Sequence, residues 1–481
     1  MSGQIEAILF DVSGTLRSTV NQLHYEAAGT RIVSPEAHDV VLTLFRRGYR
    51  LGLVSNTAGS VEVPAALKEL HLAGCFETVI FSAAAGKHNP YPAVLLEATR
   101  RMGLVPKSCA YIGDRVDRDV AAARQAGFSK AVIVDNPRRA NLARESGDHL
   151  VPDAMVSNLT GLLEIFPPRP APQPAVVYDA SLSTMWAVKN FPTLADFFEA
   201  ARRLGFSRIE LGHQITTSML AGIELNGFQF SSVHEPCPTD FGEAELKKRD
   251  WLISSTDEAC RLEGVKAIRR SIDMARQVGA PAIVIHAGHS TLDKDRLEKK
   301  LRAKIDAGQR HSDEYHAIHG QLVNLRAEHA AAGFESVRKS IRELLAYAAP
   351  FGVRLGLENR NYYVEYPGPD ELGILLSLAG PEQIGFVYDI GHAEAQSRLG
   401  LIPGEVWLER FASRTIGVHL HDVVGTSDHH APGLGDVDFA RAAASLPQNA
   451  FRTCEFQTFN RPEQVKAGLA YLAEHGCIKT L

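Results

Sequence analysis

The sequence predicts an α/β protein in two parts, an open parallel sheet followed by a (β/α)8 barrel. Three observations carry this expectation. Short β-rich apolar runs alternate with amphipathic helical stretches along nearly the whole chain. Five prolines fall within Phe166-Pro-Pro-Arg-Pro-Ala-Pro-Gln-Pro-Ala175, a run that cannot form helix or central strand and favours an extended spacer. After it, eight strand candidates recur over about 300 residues, the rhythm of a barrel. The expected divisions are 1–165 for the sheet domain, 166–175 for the linker and 176–481 for the barrel.

At 481 residues the chain is too long for one ordinary core. Apolar residues make up 45% and charged residues 22%, the balance of a globular protein. The formal net charge of -5 speaks against a broad nucleic-acid footprint, which needs a cationic face. No apolar run has the length of a membrane span, and the N-terminus enters a strand without a basic n-region. The six cysteines show no CxxC pair, so reduced thiols and a cytoplasmic location are expected.

In the first part the strand candidates are AILFDV, RLGLVSN, TVIFSA, CAYIGD and KAVIVD. Asp11-Val-Ser-Gly-Thr-Leu16 follows the first of them and turns at Gly14. Ser55 ends the second. Lys87 lies in Gly86-Lys-His-Asn-Pro90, and Asp114 and Asp119 lie in Tyr111-Ile-Gly-Asp-Arg-Val-Asp-Arg-Asp119. Ligands bind at the carboxyl ends of strands in open parallel sheets, which is where these residues fall. A carboxylate there can attack a phosphoryl group, a hydroxyl and an ammonium can hold its oxygens, and a second carboxylate can help bind Mg2+. Each piece alone is weak, and four in order at strand ends are specific.

On these motifs residues 1 to about 165 resemble the haloacid dehalogenase superfamily of phosphatases. The resemblance implies Asp11 as nucleophile and Mg2+ ligand, Ser55 and Lys87 as phosphate contacts, and Asp114 as a Mg2+ ligand supported by Asp119. Most phosphatases of the family carry an acidic general acid two residues after the nucleophile, where this chain has Ser13. Loss of general-acid help costs roughly 10²- to 10⁴-fold. The domain is therefore slow, restricted to substrates with good leaving groups, or converted to binding.

In the second part the strand candidates are MWAVKN, SRIELG, FSSVHE, AIVIHAG, RLGLENR, GFVYDIGH, TIGVHLHD and RTCEFQ. Their ends carry His234, His286, Glu358, Asp389, His392, His419 and Glu455, with Glu210 and His213 ending the second. Barrel active sites are built from strand carboxyl ends, so these groups face one space. A single histidine there is more often structural, and Glu358 alone could simply pair with Arg360. As a set, imidazoles and carboxylates suit Zn2+, Mn2+ or Co2+. Residues 291–333, charge-rich and helical in composition, interrupt the rhythm after the fourth strand. Two extra helices there would form a lid, or else a solvated hairpin or a contact between copies in a homodimer.

The second part resembles the xylose isomerase-like barrel superfamily, sugar isomerases, epimerases and the AP endonuclease family, over residues 176–478. The resemblance implies Glu358, Asp389, His419 and Glu455 as metal ligands, with His419 preferred to His421. It leaves two mechanisms open. In an isomerase or epimerase of a small phosphorylated sugar or polyol, Glu358 and Glu455 would also move a proton at carbon, and His392 would bind substrate. In a di- or trinuclear phosphoester hydrolase, His234, His286 and His392 would join the ligands, with Asp428 and His430 from Ser427-Asp-His-His-Ala-Pro-Gly-Leu-Gly435. Aligned on Gly-x-Gly, however, His429 takes the histidine position and Ser427 that of the aspartate. The first mechanism is the primary expectation.

Overall fold

The computed structural model describes residues 4–12, 14–16, 35–55, 62–81, 92–134, 150–223, 225–241, 243–290 and 294–481. Ser13 and Lys87 lie outside the described residues. The chain forms two compact units. One comprises Met1–Pro174 with Lys189–Arg203 and Arg461–Glu463, the other Ala175–Val188, Leu204–Asn460 and Gln464–Leu481. The stretch 166–175 carries neither helix nor strand.

The first unit is built on a six-stranded sheet in the order β3-β2-β1-β4-β5-β6. Its strands are β1 (Ala7–Asp11), β2 (Arg50–Ser55), β3 (Phe76–Phe81), β4 (Cys109–Gly113), β5 (Lys130–Val134) and β6 (Ala154–Val156). Every pairing is parallel. Strands buried on both faces read as continuous apolar runs, and AILFD is buried at all five positions. The strand order reverses between β1 and β4, and such a switch point opens a crevice at the strand ends. The sequence pattern does not predict β6: three residues at a sheet edge leave too little pattern to read.

The second unit is a closed barrel of β7 (Tyr178–Ser183), β8 (Phe206–Leu211), β9 (Phe230–His234), β10 (Ala282–Ile285), β11 (Arg354–Glu358), β12 (Ile384–Asp389), β13 (Thr415–Leu420) and β16 (Phe451–Cys454). All eight strands run parallel. A two-stranded hairpin, β14 (Asp422–Val424) with β15 (Ser427–His430), comes after β13. The first barrel strand is a correction to the sequence reading. MWAVKN runs from the 3-10 turn Thr184–Trp186 into a further turn, while YDASLS forms the strand. Small, partly polar residues are buried there, Ser181 and Ser183 among them, so apolar density pointed to the wrong run.

The insertion after β10 also differs from two separate extra helices. Lys294–Asp306 is one helix, and the second merges with the helix due after β10 into a single 36-residue helix, Asp313–Ala348. Ser312 caps its start, accepting from the Tyr315 amide at 3.2 Å, and no proline interrupts it before Pro350. Leu301, Tyr315, Ile318 and Leu322 form a buried cluster with Val364 and Leu399. These partners come after β11 and β12, so the insertion roofs the carboxyl ends of those strands.

Candidate metal and phosphoryl-transfer sites

In the first unit, strand register fixes the site. Asp11 pairs with Val54, one residue before Ser55, and Phe10 pairs with Ile112, two before Asp114. Asp11, Asp114 and Asp119 are buried and bring carboxylate oxygens within 4.8 Å of one another. Gly14 at φ +90° makes this approach feasible, because a Cβ there would lie 2.0 Å from Asp114 Oδ2. Asp119 Oδ2 accepts from the Asp114 and Arg115 amides at 3.0 and 2.9 Å, so it orients the loop that carries Asp114. A π-helical turn, Val116–Val120, carries Arg118 to 3.2 Å from Asp119 and 3.7 Å from Asp11. Burial, then the charge of Asp119, pushes the Asp11 carboxyl up to about 8 against the pull of Arg118. Neither Asp11 oxygen has a hydrogen-bond partner among the described residues. Three buried carboxylates facing one another fit a hard divalent cation. Ser55 is buried at the end of β2. Lys87, the other expected phosphate contact, is among the residues outside that description.

In the barrel, β8 to β13 and β16 deliver side chains from their ends into one space. On β9, Ser232 and His234 share a face, being two residues apart. Ser232 donates to Glu210 of β8 at 2.6 Å, which shows that this face points inward. Glu358, Asp389, His419 and Glu455 form a four-ligand group, with His419 Nδ1 at 2.8 Å from Glu358, 3.1 Å from Glu455 and 3.7 Å from Asp389. Its Nε2 lies 3.1 Å from Glu210, which fixes the ring. His234, His286 and Glu358 form a second group, His286 Nε2 lying 3.0 Å from Glu358 Oε2. Glu358 thus belongs to both, Oε1 facing His419 and Oε2 facing His286, while Oε2 also accepts from Arg360.

A third group, His392, His421 and His429, lies beside Asp389, with Asp428 at its edge. His392 Nε2 and His429 Nε2 each stand 3.7 Å from Asp428 Oδ2. The other ring nitrogens are engaged: His392 Nδ1 with the Asn359 carbonyl at 3.0 Å, and His429 Nδ1 with the Glu455 carbonyl at 3.1 Å. His234 Nδ1 likewise meets the Glu235 carbonyl at 3.0 Å. Each arrangement leaves Nε2 for a ligand. His421 Nδ1 accepts from the His429 amide, and its Nε2 donates to Asp389 at 2.9 Å. It therefore orients Asp389 and His429. Gly391 leaves room for it, because a Cβ there would lie 2.0 Å from the His421 ring.

His430 is the sequence-picked residue that the structure does not bring in. Its Nε2 meets Ser427 Oγ at 3.0 Å and its ring packs on Phe459. His429, at φ +57°, turns into the site instead. The left-handed residue reverses the side-chain direction that strand alternation would give. Sequence reasoning gave no role to Glu210 or His421, while the Gly-x-Gly alignment had put His429 in the ligand position. Both missed residues were within reach: Glu210 is a strand-end carboxylate, and His421 lies two residues beyond His419, on the same face.

Charge supports a cation here. Glu210, Glu358, Asp389 and Glu455 crowd His419, all of them essentially inaccessible. Burial alone would push the His419 imidazole down, but Glu210 and Glu455 hold it well above its ordinary range. Burial, Arg360 and His234 push His286 down to about 3, so it stays neutral and can act as a ligand. Above the groups lies a cavity of about 210 Å3, whose wall includes Lys247, Arg360, Asn361, Tyr362 and Gln457.

Among known proteins, residues 20–127 match the haloacid dehalogenase-like hydrolase family and residues 198–475 the xylose isomerase-like TIM barrel family. A glyceraldehyde 3-phosphate phosphatase of Methanopyrus kandleri is 29% identical over 131 residues, 27% of this chain and 55% of that protein. The chain thus spans about half the length of the first curated relatives it matches. An uncharacterised protein of Sinorhizobium fredii is 23% identical over 317 residues, 57% of this chain and 86% of that protein. A crystal structure of a D-tagatose 3-epimerase-like protein aligns with TM-score 0.44 and 18% identity, covering 61% of this chain and 96% of that one. No helix among the described residues is long and apolar enough to cross a membrane. With a match over more than half its length, the chain belongs to the xylose isomerase-like TIM barrel family and carries a haloacid dehalogenase-like hydrolase domain ahead of the barrel.

Proposed function

We propose that the barrel is a multi-metal hydrolase of a small phosphoester, and that the first unit is a Mg2+-dependent phosphatase. The observation that carries the first reading is Glu358, whose two oxygens serve two ligand groups, with a third group of Asp428, His392 and His429 alongside. Bound divalent ions, Zn2+ by the imidazole content, would neutralise charge growing on the phosphoryl oxygens and make the attacking water more acidic. The chain's own residues do the rest. Glu210 fixes the His419 ring, Asn359 and His421 fix Asp389, and Lys247 and Arg360 draw an anionic group into the cavity. The new bond is from water oxygen to phosphorus, and the ester P–O bond breaks, the alcohol leaving with a proton. The cavity volume suits a sugar- or polyol-sized phosphate.

In the first unit the Asp11 carboxylate attacks phosphorus and the alkoxide departs. Water then cleaves the aspartyl phosphate, releasing inorganic phosphate and restoring Asp11. Serine at position 13 is a poor proton donor for the leaving oxygen, so acidic leaving groups are favoured.

A second reading has its own observation. Glu358 and Glu455 both approach His419 Nδ1, the arrangement a one-ion isomerase or epimerase needs for proton transfer on two faces of a sugar carbon. Metal content per chain, measured beside turnover in an Asp11→Asn background, separates the two. Two or three ions, with bis-(p-nitrophenyl) phosphate cleavage lost in Glu358→Gln, supports the hydrolase. One ion, with solvent deuterium entering a sugar C–H, replaces it by the epimerase.

A further inference from the structure

The insertion helix Lys294–Asp306 is not needed to close the barrel, yet it reaches the third ligand group through two side chains. Arg302 donates to the Asn361 carbonyl at 2.6 Å and to Asn361 Oδ1 at 2.9 Å. Its other amino group donates to the Thr426 carbonyl at 3.0 Å, two residues before Asp428. Asn361 in turn donates from Nδ2 to Asp428 Oδ2 at 2.7 Å, the same oxygen that faces His392 and His429. Arg302 is itself held by Glu298, a fully buried carboxylate on the same helix that also accepts from the Tyr363 amide at 2.8 Å. The guanidinium therefore ties together the segment after β11 and the β14–β15 hairpin.

We infer that Arg302 is a positioning residue for Asp428: through Asn361 it sets the carboxylate that completes the third cation site, so that occupancy of this site depends on the insertion. The inference rests on the multi-metal reading given above. A planar donor fork suits the task, since one guanidinium reaches both segments with its geometry fixed. Without it, Asn361 loses the partner of its Oδ1, its amide is free to rotate, and Asp428 loses a donor. Outer partners of this kind typically change metal affinity 10- to 100-fold.

The test is zinc content of the full chain after loading and desalting, followed by chelator competition. It compares wild type with Glu298→Gln/Arg302→Ala, Asn361→Ala and His392→Ala. The paired variant removes the arginine without stranding the buried Glu298 charge, and Asn361→Ala cuts the relay while leaving the insertion packed. Both should lose one zinc per chain, or hold the weakest equivalent at least tenfold less tightly, with the remaining zinc unchanged and, in excess chelator, the melting temperature of the metal-free wild type. A purely structural role would lower the melting temperature of the metal-free chain and leave the stoichiometry as it is. Should the paired variant fail to fold, Asn361→Ala decides alone. If His392→Ala loses a zinc while the relay variants keep the wild-type content and competition curve, the role of Arg302 is overturned and the multi-metal reading stands. If His392→Ala loses none, the third cation site falls, and the inference with it.

Discussion

Asp11 and Glu358 solve the same problem in different ways. Asp11 faces other carboxylates with one arginine nearby, so burial and Asp119 hold its proton up to about 8. Glu358 faces His286, His419 and Arg360, which hold its carboxyl well below the usual range against the effect of burial. A cation entering the first site must displace the Asp11 proton. Mg2+ affinity of the first site should therefore rise with pH, by up to about tenfold per unit below pH 8, and level off above it. Calorimetric titrations at pH 6, 7 and 8 in buffers of different ionisation enthalpy check both the slope and the proton release; a flat profile contradicts it. At Gly391 the expectation is steric. Gly391→Ala must displace the His421 ring, so Asp389 loses its donor and zinc should be held at least tenfold less tightly, with the fold retained by circular dichroism. In the first unit, Ser13→Asp should raise turnover of alkyl phosphates by about 10²-fold and that of p-nitrophenyl phosphate far less, since only the poor leaving group needs a proton.

At the scale of elements, the sequence was most legible where burial is two-sided. AILFD, GFVYD and TIGVHL are continuous apolar runs, and each is a central strand. Legibility failed where a strand buries serine, as in YDASLS, and where two adjacent histidines compete, since the Asp-x-His spacing favours 430 while the left-handed backbone at 429 turns that side chain inward. The merging of the second insertion helix with the one due after β10 could not be read, because a helix continues wherever nothing stops it. That helix supplies a paired test of packing against propensity. Gly320→Ala, with open space around the new methyl, should stabilise by about 0.5–1 kcal/mol. Gly333→Ala would place the methyl 2.6 Å from the Tyr366 hydroxyl, which donates to the Ala330 carbonyl at 2.7 Å. It should therefore lower stability despite the better propensity. Urea denaturation of both variants reads the opposite signs directly.

For the whole molecule, the two units call for different cofactor chemistry, oxygen ligands in one and mixed imidazole and carboxylate in the other. A zinc-selective chelator should lower the midpoint of the transition that reports barrel unfolding. At metal concentrations 100- to 1,000-fold above Kd the lost stabilisation is about 3–4 kcal/mol per ion. Calorimetry in Mg2+-containing buffer with and without the chelator tests this; an unchanged barrel transition would show that the groups hold no ion.

The unbroken helix Asp313–Ala348 has a consequence for how substrate comes and goes. Its first turns pack in the roof, through Tyr315 and Ile318, and its last turns pack against the barrel's outer helices, where Ser340 accepts from Arg261 at 2.8 Å. A rigid rod anchored at both ends has no swivel point. The part of the roof that this helix supplies is therefore tied to the barrel wall and moves only with it. Any opening above the ligand groups falls to the shorter helix Lys294–Asp306, which is joined to the long one only through residues 307–312.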